Sequence, residues 1–433
     1  MHAGHWAGSL VFRLMGGSGG SRCSRLGSEP GDPRGARRGA IVAAMAMVLA
    51  GVGPAYAAQP QKFLTFDSHM TPAQIKANGS EYVYVWGASD PALNEAFQKN
   101  SPGTQLSAYY PYSRDPDAKR GLDYWKANHP SWIAYTCDGV TPVSLYGDSN
   151  VALDITNPDV IAWQVGNFLS RPAGVDTVAF DNFQFHNDGH MCGVRNASGR
   201  FVQSYVPKSY DMAYAQDRVR WLEQVAAQLH AHQVKVVVNH IPDLSPDGDD
   251  PSSPIVASMV RSVDGILDEH AQLALRDAGK SALLAKLVDY ADSNGKWMYL
   301  LYQLDEISRS SVESAVANYL TMAGPKTAIY ISRKDDAYGY EPDLKGFDKT
   351  VGGPCGPVVT MQGIVIRRYS GGLAIFAAPG SSSVSLPIPA VYTDVDGAAV
   401  AGTIHLEGGQ GRVLYTRQGD NGGCKVALQM PSH

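Results

Sequence analysis

The stretch "GVDTVAFDNFQFHND", residues 174–188, joins an apolar run to a polar and aromatic segment. The mostly apolar residues 176–180 lead directly into Asp181, which is followed by amides, aromatic residues and a histidine. The run has the length and composition of a buried β-strand. Parallel strands bring their carboxyl ends to one edge of a sheet, so the meaning of Asp181 depends on how the other strands end.

Runs of the same kind recur along the chain and alternate with amphipathic helical patterns. Near-continuous apolar runs are typical of parallel strands that are buried on both faces. Eight of them predict an α/β fold, the (β/α)8 TIM barrel. An open doubly wound sheet is the alternative, but no glycine-rich phosphate loop follows the first run. The runs are "YVYVWG" (82–87), "QLSAYY" (105–110), "WIAYT" (132–136), "VDTVAFDN" (175–182), "VKVVVNH" (234–240), "VDGILDEH" (263–270), "WMYLLYQL" (297–304) and "KTAIYISR" (326–333).

The composition and the residue pattern of the sequence change after residue 350. "VGGPCGP" has the composition of a linker, and residues 363–416 contain short alternating runs separated by Gly, Pro, Ser and Asp-Gly turns. This pattern predicts a small C-terminal antiparallel β-sandwich. The predicted organisation is an N-terminal extension with a secretory signal (1–58), a catalytic barrel (59–350), the sandwich (351–418) and a tail (419–433).

The N-terminal extension carries the pattern of a secretory signal. Arg37 and Arg38 precede an apolar run at 40–52, and the small residues "AYA" end at Ala57. This order of charged, apolar and small residues predicts export, with cleavage near Ala57 and a secreted or periplasmic product. The run is too short for a stable membrane span, and an uncleaved N-terminal anchor is the alternative.

Composition excludes some classes of partner and site. The net charge is -5 with both signs mixed along the chain, which argues against a nucleic-acid binder. No C-x-x-C or H-E-x-x-H spacing is present, so neither a metal nor an organic cofactor is expected. Export favours disulfides. Four cysteines remain after signal removal, and the pairing Cys137–Cys192 with Cys355–Cys424 alone joins neighbours in the predicted fold.

Polar side chains close most of the predicted strands, at the edge where the active sites of barrels lie. Two carboxyl groups across a cleft are the minimal machinery for cleaving a glycosidic bond, with one ionised and the other able to give a proton. A single Asp after a strand is often a helix cap, a single Glu a salt-bridge partner, and a histidine a structural hydrogen-bonder. The combination of Asp181 on the fourth strand and Glu269 on the sixth therefore favours catalysis more than either does alone. The closing residues are Trp86, Tyr109, Tyr110 and Tyr135 on the first three strands, then Asp181, Asn182, Asn239, His240, Asp268, Glu269, His270, Gln303, Asp305, Glu306 and Arg333.

"FDN" at the end of the fourth strand and "GILDEH" at the end of the sixth, with the signal and the small C-terminal sandwich, resemble glycoside hydrolases of barrel fold. The resemblance covers roughly residues 62–416 and is nearest to the group called hypothetical glycosyl hydrolase family 15. Acids on strands four and six are also similar to the α-galactosidase and α-glucosidase clan. That likeness implies Asp181 as nucleophile and Glu269, or Asp268 in its place, as acid/base. In the large clan that includes cellulases the acids close strands four and seven, which would bring in Asp305 or Glu306.

The sequence as a whole predicts an exported glycoside hydrolase that acts on an α-linked poly- or oligosaccharide with retention. The segments "YYPYSRDPD" (109–117) and "SRKDDAYGYEPD" (332–343) are expected to form cleft walls. One alternative is a non-catalytic carbohydrate-binding protein on a glycosidase-like barrel, and another is a cell-envelope protein anchored by an uncleaved N-terminus. The expected sugar contacts are hydrogen bonds from Asn182, His186, Asn239, His240 and Arg333, and stacking on Trp86, Tyr110 and Phe183.

Overall fold

The computed structural model describes residues 59–417 and Cys424. It has gaps at 68, 116–119, 146–150, 188, 208–209, 243–249, 335–337 and 343, and describes backbone only at 390 and 391. The predicted signal segment, residues 1–58, lies outside the described residues, and so does the predicted tail except Cys424.

Helices and strands are named in chain order. The helices are α1 (Pro72–Asn78), α2 (Pro91–Asn100), α3 (Leu122–Asn128), α4 (Pro158–Leu169), α5 (Met212–Ala231), α6 (Pro254–Ser262), α7 (Ala278–Ser293) and α8 (Arg309–Met322), with short 3₁₀ helices at Gly79–Glu81, Pro130–Trp132 and Ala271–Leu275. The strands are β1 (Gln61–Thr65), β2 (Tyr82–Trp86), β3 (Gln105–Pro111), β4 (Ala134–Tyr135), β5 (Thr177–Asp181), β6 (Gly193–Arg195), β7 (Phe201–Gln203), β8 (Lys235–Asn239), β9 (Gly265–Asp268), β10 (Trp297–Leu304), β11 (Thr327–Arg333), β12 (Val359–Met361), β13 (Ile364–Tyr369), β14 (Gly372–Ala377), β15 (Val384–Thr393), β16 (Ala399–Leu406) and β17 (Gly411–Thr416).

Eight parallel strands close into a barrel in the order β1-β11-β10-β9-β8-β5-β3-β2. The pairing passes from strand to strand around the ring: Ala179 on β5 lies beside Val237 on β8, and Val238 lies beside Ile266 on β9. Helices occupy the connections between barrel strands. The fold is therefore the (β/α)8 barrel that the alternation of the sequence predicts. The carboxyl ends of its strands are called the barrel mouth below.

One of the eight predicted strands is wrong, and an unpredicted strand takes a place in the barrel. The run "WIAYT" contributes β4 to a separate three-stranded sheet, where Ala134 and Tyr135 pair antiparallel with Val194 and Gly193. The barrel begins instead with β1, "QKFLT", in which only two apolar residues stand between polar ends. Because one strand is gained and one lost before it, β5 keeps its predicted place as the fourth strand.

The helices cover the barrel with the apolar stripes that their sequences predict. Helix α5 begins after Asp211, whose side chain accepts hydrogen bonds from backbone N–H groups of the first turn. Helix α7 ends just before Gly295, which has a φ of 68°. Among the described residues no helix is both long and apolar enough to cross a membrane. The buried stripe of α5 includes Tyr214, Val219, Leu222, Val225 and Leu229.

Side chains on the barrel strands alternate between the barrel interior and the layer between strands and helices. On β5, Val178 and Phe180 pack in the helix layer, whereas Ala179 faces the interior. On β8, Val238 faces the helices and Val237 the interior. Counting in steps of two from these residues, and from Leu267 on β9, assigns positions 181, 239 and 269 to the side chains that face the barrel interior, called the inward series below. Positions 240 and 268 belong to the alternate side chains that face the helices, called the outward series.

A small sheet of β4, β6 and β7 is built from the loops that flank β5. A disulfide joins Cys137, just after β4, to Cys192, just before β6, with 4.8 Å between their Cα atoms. The predicted pairing is present, although β4 belongs to this sheet and not to the barrel. Trp125, Ile133 and Leu153 are buried together in a separate core of this region.

Six antiparallel strands form the C-terminal domain, in the order β12-β13-β14-β17-β15-β16. Alternate residues of β14 serve two cores, because Leu373 and Ile375 face the other strands of the domain and Ala374 packs with the barrel helices. The linked strands enclose the inner core, which gives the sandwich-like domain that the sequence predicts. The second predicted disulfide joins Cys355, before β12, to Cys424, with 5.2 Å between their Cα atoms.

Helix α8 joins the barrel to the C-terminal domain. Its Glu313 is 9% exposed and accepts hydrogen bonds from Arg412 Nε at 2.8 Å and from the N–H of Val413 at 3.0 Å. Burial raises the pKa of Glu313, and the charge of Arg412 opposes the rise. The paired and hydrogen-bonded carboxylate fixes β17 against the helix, as a buried charge requires.

Removing the first disulfide should destabilise the chain without abolishing its fold. A C137S/C192S variant loses a cross-link over 55 residues. The chain-entropy model then gives a decrease of about 4 kcal/mol in the free energy of unfolding. Urea unfolding followed by tryptophan fluorescence measures the decrease, with C355S/C424S, whose bridge spans 69 residues, as the matched comparison. An unchanged urea midpoint in C137S/C192S would contradict the prediction.

Candidate active site

The side chain of Asp181, at the carboxyl end of β5, is held by three hydrogen-bond donors. Tyr109 OH donates to Oδ2 at 2.6 Å, and Asn182 Nδ2 donates to the same oxygen at 2.7 Å. Asn239 Nδ2 donates to Oδ1 at 2.8 Å. These donors come from β3, from the residue after β5 and from β8, which are adjacent in the ring. They fix the plane of the carboxyl group and use its oxygens as acceptors, which is the role of a carboxylate.

Glu269 directly follows β9 and continues its inward series. Tyr338 OH donates to its Oε2 at 3.0 Å. Burial, and after it the charge of Asp181, raises the pKa of Glu269 to about 7, while hydrogen bonds from Asn239 and Tyr338 oppose the rise. A carboxyl group with such a pKa can both give and take a proton near neutral pH.

The side chain of Asn239 lies between the two carboxyl groups. It is 1% exposed, donates to Asp181 and lowers the pKa of Glu269. Its backbone carbonyl accepts from the N–H of Phe183 at 2.9 Å, which ties β8 to the segment after β5. Asn239 Oδ1 has no hydrogen-bond partner among the described residues. A buried acceptor of this kind is a place where a ligand hydroxyl can donate.

Aromatic rings form one wall of the site. Phe66 follows β1 with a positive φ of 51° and places its ring 5.8 Å from Tyr109 and 5.3 Å from Tyr338. Trp86 packs edge-on against Tyr109 at 6.3 Å. Gly87 is required beside this wall, because a Cβ there would lie 2.7 Å from the Phe66 ring. The rings reduce the hydration of the site, and loss of hydration disfavours a charged carboxyl group.

Tyr338 is held in the site by a loop that docks on the end of β1. The N–H of Gly339 donates to the backbone carbonyl of Thr65 at 2.7 Å. The ring of Tyr340 stacks on His69, with 4.5 Å between ring centroids and 7° between planes. Tyr338 itself is 40% exposed, so this part of the wall is accessible to a ligand from solvent.

The structure brings four of the predicted site residues together at the barrel mouth. Asp181 and Glu269 lie there with Asn182 and Asn239 in the contacts described above. Trp86 also lies in this region, but it is 3% exposed because neighbouring rings cover it. Trp86 therefore supports the wall in this structure and does not offer a free face for stacking.

Three predicted sugar contacts pack in or against the helix layer and do not face the carboxyl pair. Phe183 is fully buried, and Tyr110 packs on Phe168 at 5.0 Å. His240 is also fully buried, with Nδ1 at 2.8 Å from the carbonyl oxygen of Phe183. For Tyr110 and His240 the physical reason is strand alternation, because each stands next in sequence to an inward residue. Phe183 lies two residues beyond the end of β5, after the turn at Asn182, where a φ of 57° ends the alternation.

His186 and Arg333 are placed differently from the pair. His186 forms an isolated β-bridge with Tyr210, and the two rings meet edge-on at 6.0 Å. Arg333 is exposed at the end of β11, where Ile329 and Ile331 of the same series face the helices. A sugar contact from either residue stays a prediction.

The alternative acids lie in other surroundings. Asp268 faces the helix layer, accepts from the N–H of His270 at 2.9 Å, and has a pKa raised by burial to about 6. Asp305 pairs with Arg276 and, like Glu306, is exposed. None of these three described carboxyl groups is bound by the donors that hold the pair. Among the described residues no group of three His, Cys, Asp or Glu side chains is placed to hold a metal ion.

Sequence reasoning missed three residues of the site. Tyr109 closes a predicted strand, but its neighbour Tyr110 is the residue predicted to stack on a sugar. The two differ only in which of them the strand turns towards the barrel interior. Tyr338 falls in the predicted cleft-wall segment 332–343, whose sequence does not indicate which ring turns inward. Phe66 follows the one barrel strand that the apolar runs did not reveal.

Comparisons with known proteins identify no family. No protein-family model matches the chain, and no curated protein matches it. Similar solved structures include the cyclic alpha-maltosyl-(1→6)-maltose hydrolase from Arthrobacter globiformis, with a TM-score of 0.40 and 12% identity over 77% of this chain and 86% of that chain. An alpha-amylase from Malbranchea cinnamomea has a TM-score of 0.43 and 12% identity over 82% of this chain and 90% of that chain. A GH31 dextranase from Flavobacterium johnsoniae has a TM-score of 0.42 and 9% identity over 83% of this chain and 52% of that chain.

These neighbours are glycoside hydrolases. Similarity at this level assigns neither a family nor a reaction to this chain. The resemblance to hypothetical glycosyl hydrolase family 15 therefore stays a prediction.

Replacing Tyr338 by Phe should raise the pKa of Glu269 above about 7. The Tyr338 hydroxyl donates to the carboxylate form and so lowers its pKa, and the variant loses that stabilisation. The chemical shift of the Glu269 carboxyl carbon, followed by NMR against pH, measures the change. Tyr340→Phe is the matched control in the same loop, because the ring of Tyr340 stacks on His69 instead. An equal or lower pKa in Tyr338→Phe would contradict the contact.

Proposed function

We propose that this chain is an exported glycoside hydrolase that cleaves an α-linked poly- or oligosaccharide with retention. One observation carries the proposal: Asp181, held by three donors, and Glu269, whose pKa is raised to about 7, share the amide of Asn239 at the barrel mouth. Two carboxyl groups whose environments differ in this way are suited to the roles of nucleophile and acid/base.

In the first step the carboxylate of Asp181 attacks the anomeric carbon, and the bond from that carbon to the leaving oxygen breaks. Glu269 gives its proton to the leaving oxygen, which departs as a neutral alcohol. The raised pKa suits this role, because a larger fraction of Glu269 carries the proton near neutral pH than of an ordinary carboxyl group. The products of this step are a glycosyl ester on Asp181 and an ionised Glu269.

In the second step ionised Glu269 takes a proton from water while the water oxygen attacks the anomeric carbon. The ester bond breaks, and the Asp181 carboxylate is restored. Two inversions at one carbon give retention, which needs carboxyl groups only about 5 to 5.5 Å apart. The single amide between the two groups supports a short separation, and the assignment to α-linkages rests on the resemblance of the acids on strands four and six.

The surroundings of the pair suit a carbohydrate. The rings of Phe66, Tyr109 and Tyr338 offer apolar surface beside the carboxyl groups. Asn239 Oδ1 offers an acceptor that no described residue uses. A sugar ring, which has apolar faces and a rim of hydroxyl groups, matches both features.

Export is supported by two independent features of the chain. The predicted signal occupies residues 1–58, and two disulfides join Cys137 to Cys192 and Cys355 to Cys424. Disulfides form and persist in oxidising compartments outside the cytoplasm.

Asp181→Asn should abolish hydrolysis while leaving the fold and saccharide binding near normal. An amide cannot form the glycosyl ester, so kcat should fall by at least about a thousandfold. A panel of 4-nitrophenyl α- and β-glycosides measures turnover, and calorimetry measures binding. Asp176→Asn is the matched control, because Asp176 adjoins the other end of β5, is half exposed and pairs with Lys235.

Two outcomes would change this proposal. Activity of Asp181→Asn above about a tenth of wild type would remove Asp181 from the nucleophile's role, because loss of a covalent catalyst costs far more than tenfold. A wild-type protein that binds saccharides but cleaves none would instead favour the non-catalytic carbohydrate-binding alternative.

Glu269→Gln should slow the hydrolysis of glycosides with poor leaving groups more than the hydrolysis of those with activated ones. An activated aryl leaving group needs little protonation, so the acid matters less for it. The ratio of kcat/KM between 4-nitrophenyl and unsubstituted phenyl glycosides measures this, with Glu407→Gln, at an exposed position of the C-terminal domain, as the control. In the wild type, activity on the poor substrate should fall as pH rises through about 7, because the protonated form of Glu269 is required. Equal losses for both substrates would transfer the acid's role to Asp268 or Glu306.

A further inference from the structure

Arg218 on α5 places its guanidinium group against the segment that follows β5. The side chain is 2% exposed. Its Nη2 donates to the carbonyl oxygen of Asn182 at 2.9 Å, and its Nη1 donates to the carbonyl oxygen of His186 at 3.2 Å. One planar fork therefore holds both ends of the turn that leaves the strand after Asp181.

We propose that Arg218 is a positioning residue for Asp181 that acts through Asn182, an inference that rests on the function proposed above. Asn182 has a φ of 57°, in the left-handed region, which asparagine adopts more often than other residues with a Cβ but less readily than glycine. In this conformation its carbonyl accepts from Arg218 and from the N–H of Gln184 at 2.9 Å, while its side-chain amide donates to Asp181 Oδ2 at 2.7 Å. The backbone carbonyl of Asn182 and its side-chain amide are thus held by different partners, Arg218 and Asp181.

Without Arg218 the backbone at Asn182 loses the side-chain donor that holds it in a disfavoured conformation. Relaxation to an ordinary φ would rotate the side-chain amide away from Asp181. The carboxylate would then keep Tyr109 and Asn239 as donors but lose one of the two bonds to Oδ2. A nucleophile with fewer constraints reaches the attack geometry less often.

Aromatic rings fix the guanidinium group itself. Its carbon lies 4.2 Å from the ring centroid of Tyr112, 5.2 Å from that of Phe183 and 5.3 Å from that of Tyr214. Such contacts stabilise a desolvated cation and restrict its rotation. Trp221 on the same helix packs on Tyr112 at 5.4 Å, so the fork is anchored in the helix layer and not in solvent.

A structural experiment tests the inference without any substrate. Crystal structures of Arg218→Met and Arg218→Lys are compared with Arg220→Met, a matched control on the same helix whose side chain is 56% exposed. In Arg218→Met we expect Asn182 to leave positive φ and its Nδ2 to move beyond 3.5 Å from Asp181 Oδ2. Unchanged φ and distance in Arg218→Met would overturn the proposal. If that variant does not fold, Arg218→Lys decides in the same way, because lysine keeps the charge but cannot span both carbonyl groups.

A kinetic experiment then separates positioning from substrate binding. The probe is the 4-nitrophenyl glycoside that the wild type hydrolyses fastest. Arg218→Met should lower kcat by about a hundredfold with KM within about threefold, Arg218→Lys should recover part of kcat, and Arg220→Met should match the wild type. Wild-type kcat in Arg218→Met would overturn the proposal. A wild type that hydrolyses no glycoside would contradict the proposed function, and the crystal structures would still decide the role of Arg218.

Discussion

In a closed parallel barrel each strand must turn alternate side chains inward, and the arrangement of the candidate site depends on that constraint. Because β5, β8 and β9 are adjacent in the ring, the inward residues at their ends, Asp181, Asn239 and Glu269, meet in one place. Their sequence neighbours His240 and Asp268 are committed to the helix layer by the same rule. The two-residue alternation along each strand thus places one set of side chains at the barrel mouth and their sequence neighbours in the helix layer.

The position of Glu269 opposes folding. Its pKa is raised from an ordinary 4.5 to about 7, so the folded state holds the proton more tightly than the unfolded state does. Below about pH 4.5 the carboxyl group is neutral in both states, and the unfavourable contribution develops as pH rises from about 4.5 to about 7 and is complete above that pH. The extensive core between barrel and helices has to offset it. A carboxyl group kept in such surroundings is more easily explained by function than by stability.

The barrel and the placement of Asp181 and Glu269 at its mouth could be predicted because both follow from local pattern. A buried strand is an apolar run with polar ends, and its last inward residue is the one available at the mouth. The exchange of "WIAYT" for "QKFLT" in the barrel has a different cause. Local apolarity shows that a segment is extended, but β4 is selected by antiparallel pairing with β6 and by the bridge that follows it. These are contacts between segments distant in sequence.

The sequence indicates only weakly which of two adjacent residues at a strand end faces the barrel interior. Tyr109 and Tyr110 differ by one position, and that step reverses inward and outward, so the stacking prediction fell on the residue that packs against Phe168. The position of Tyr338 depends on its loop, which docks on β1 through the hydrogen bond between Gly339 and Thr65. No local pattern in either segment indicates this contact.

The aromatic residues after Asp181 suggest a surface for stacking on a sugar, but in the structure they pack in the helix layer. Phe183 lies in the helix layer beside Arg218, its carbonyl oxygen lies 2.8 Å from His240 Nδ1, and Phe185 packs on the same histidine at 5.0 Å. These residues anchor the strand end and do not line the site. The rings that do line it follow β1, end β3 and come from the loop after β11. The walls of the site therefore come from other strands of the ring, whereas Phe183 and Phe185, which follow the turn at Asn182, support the strand end from the helix layer.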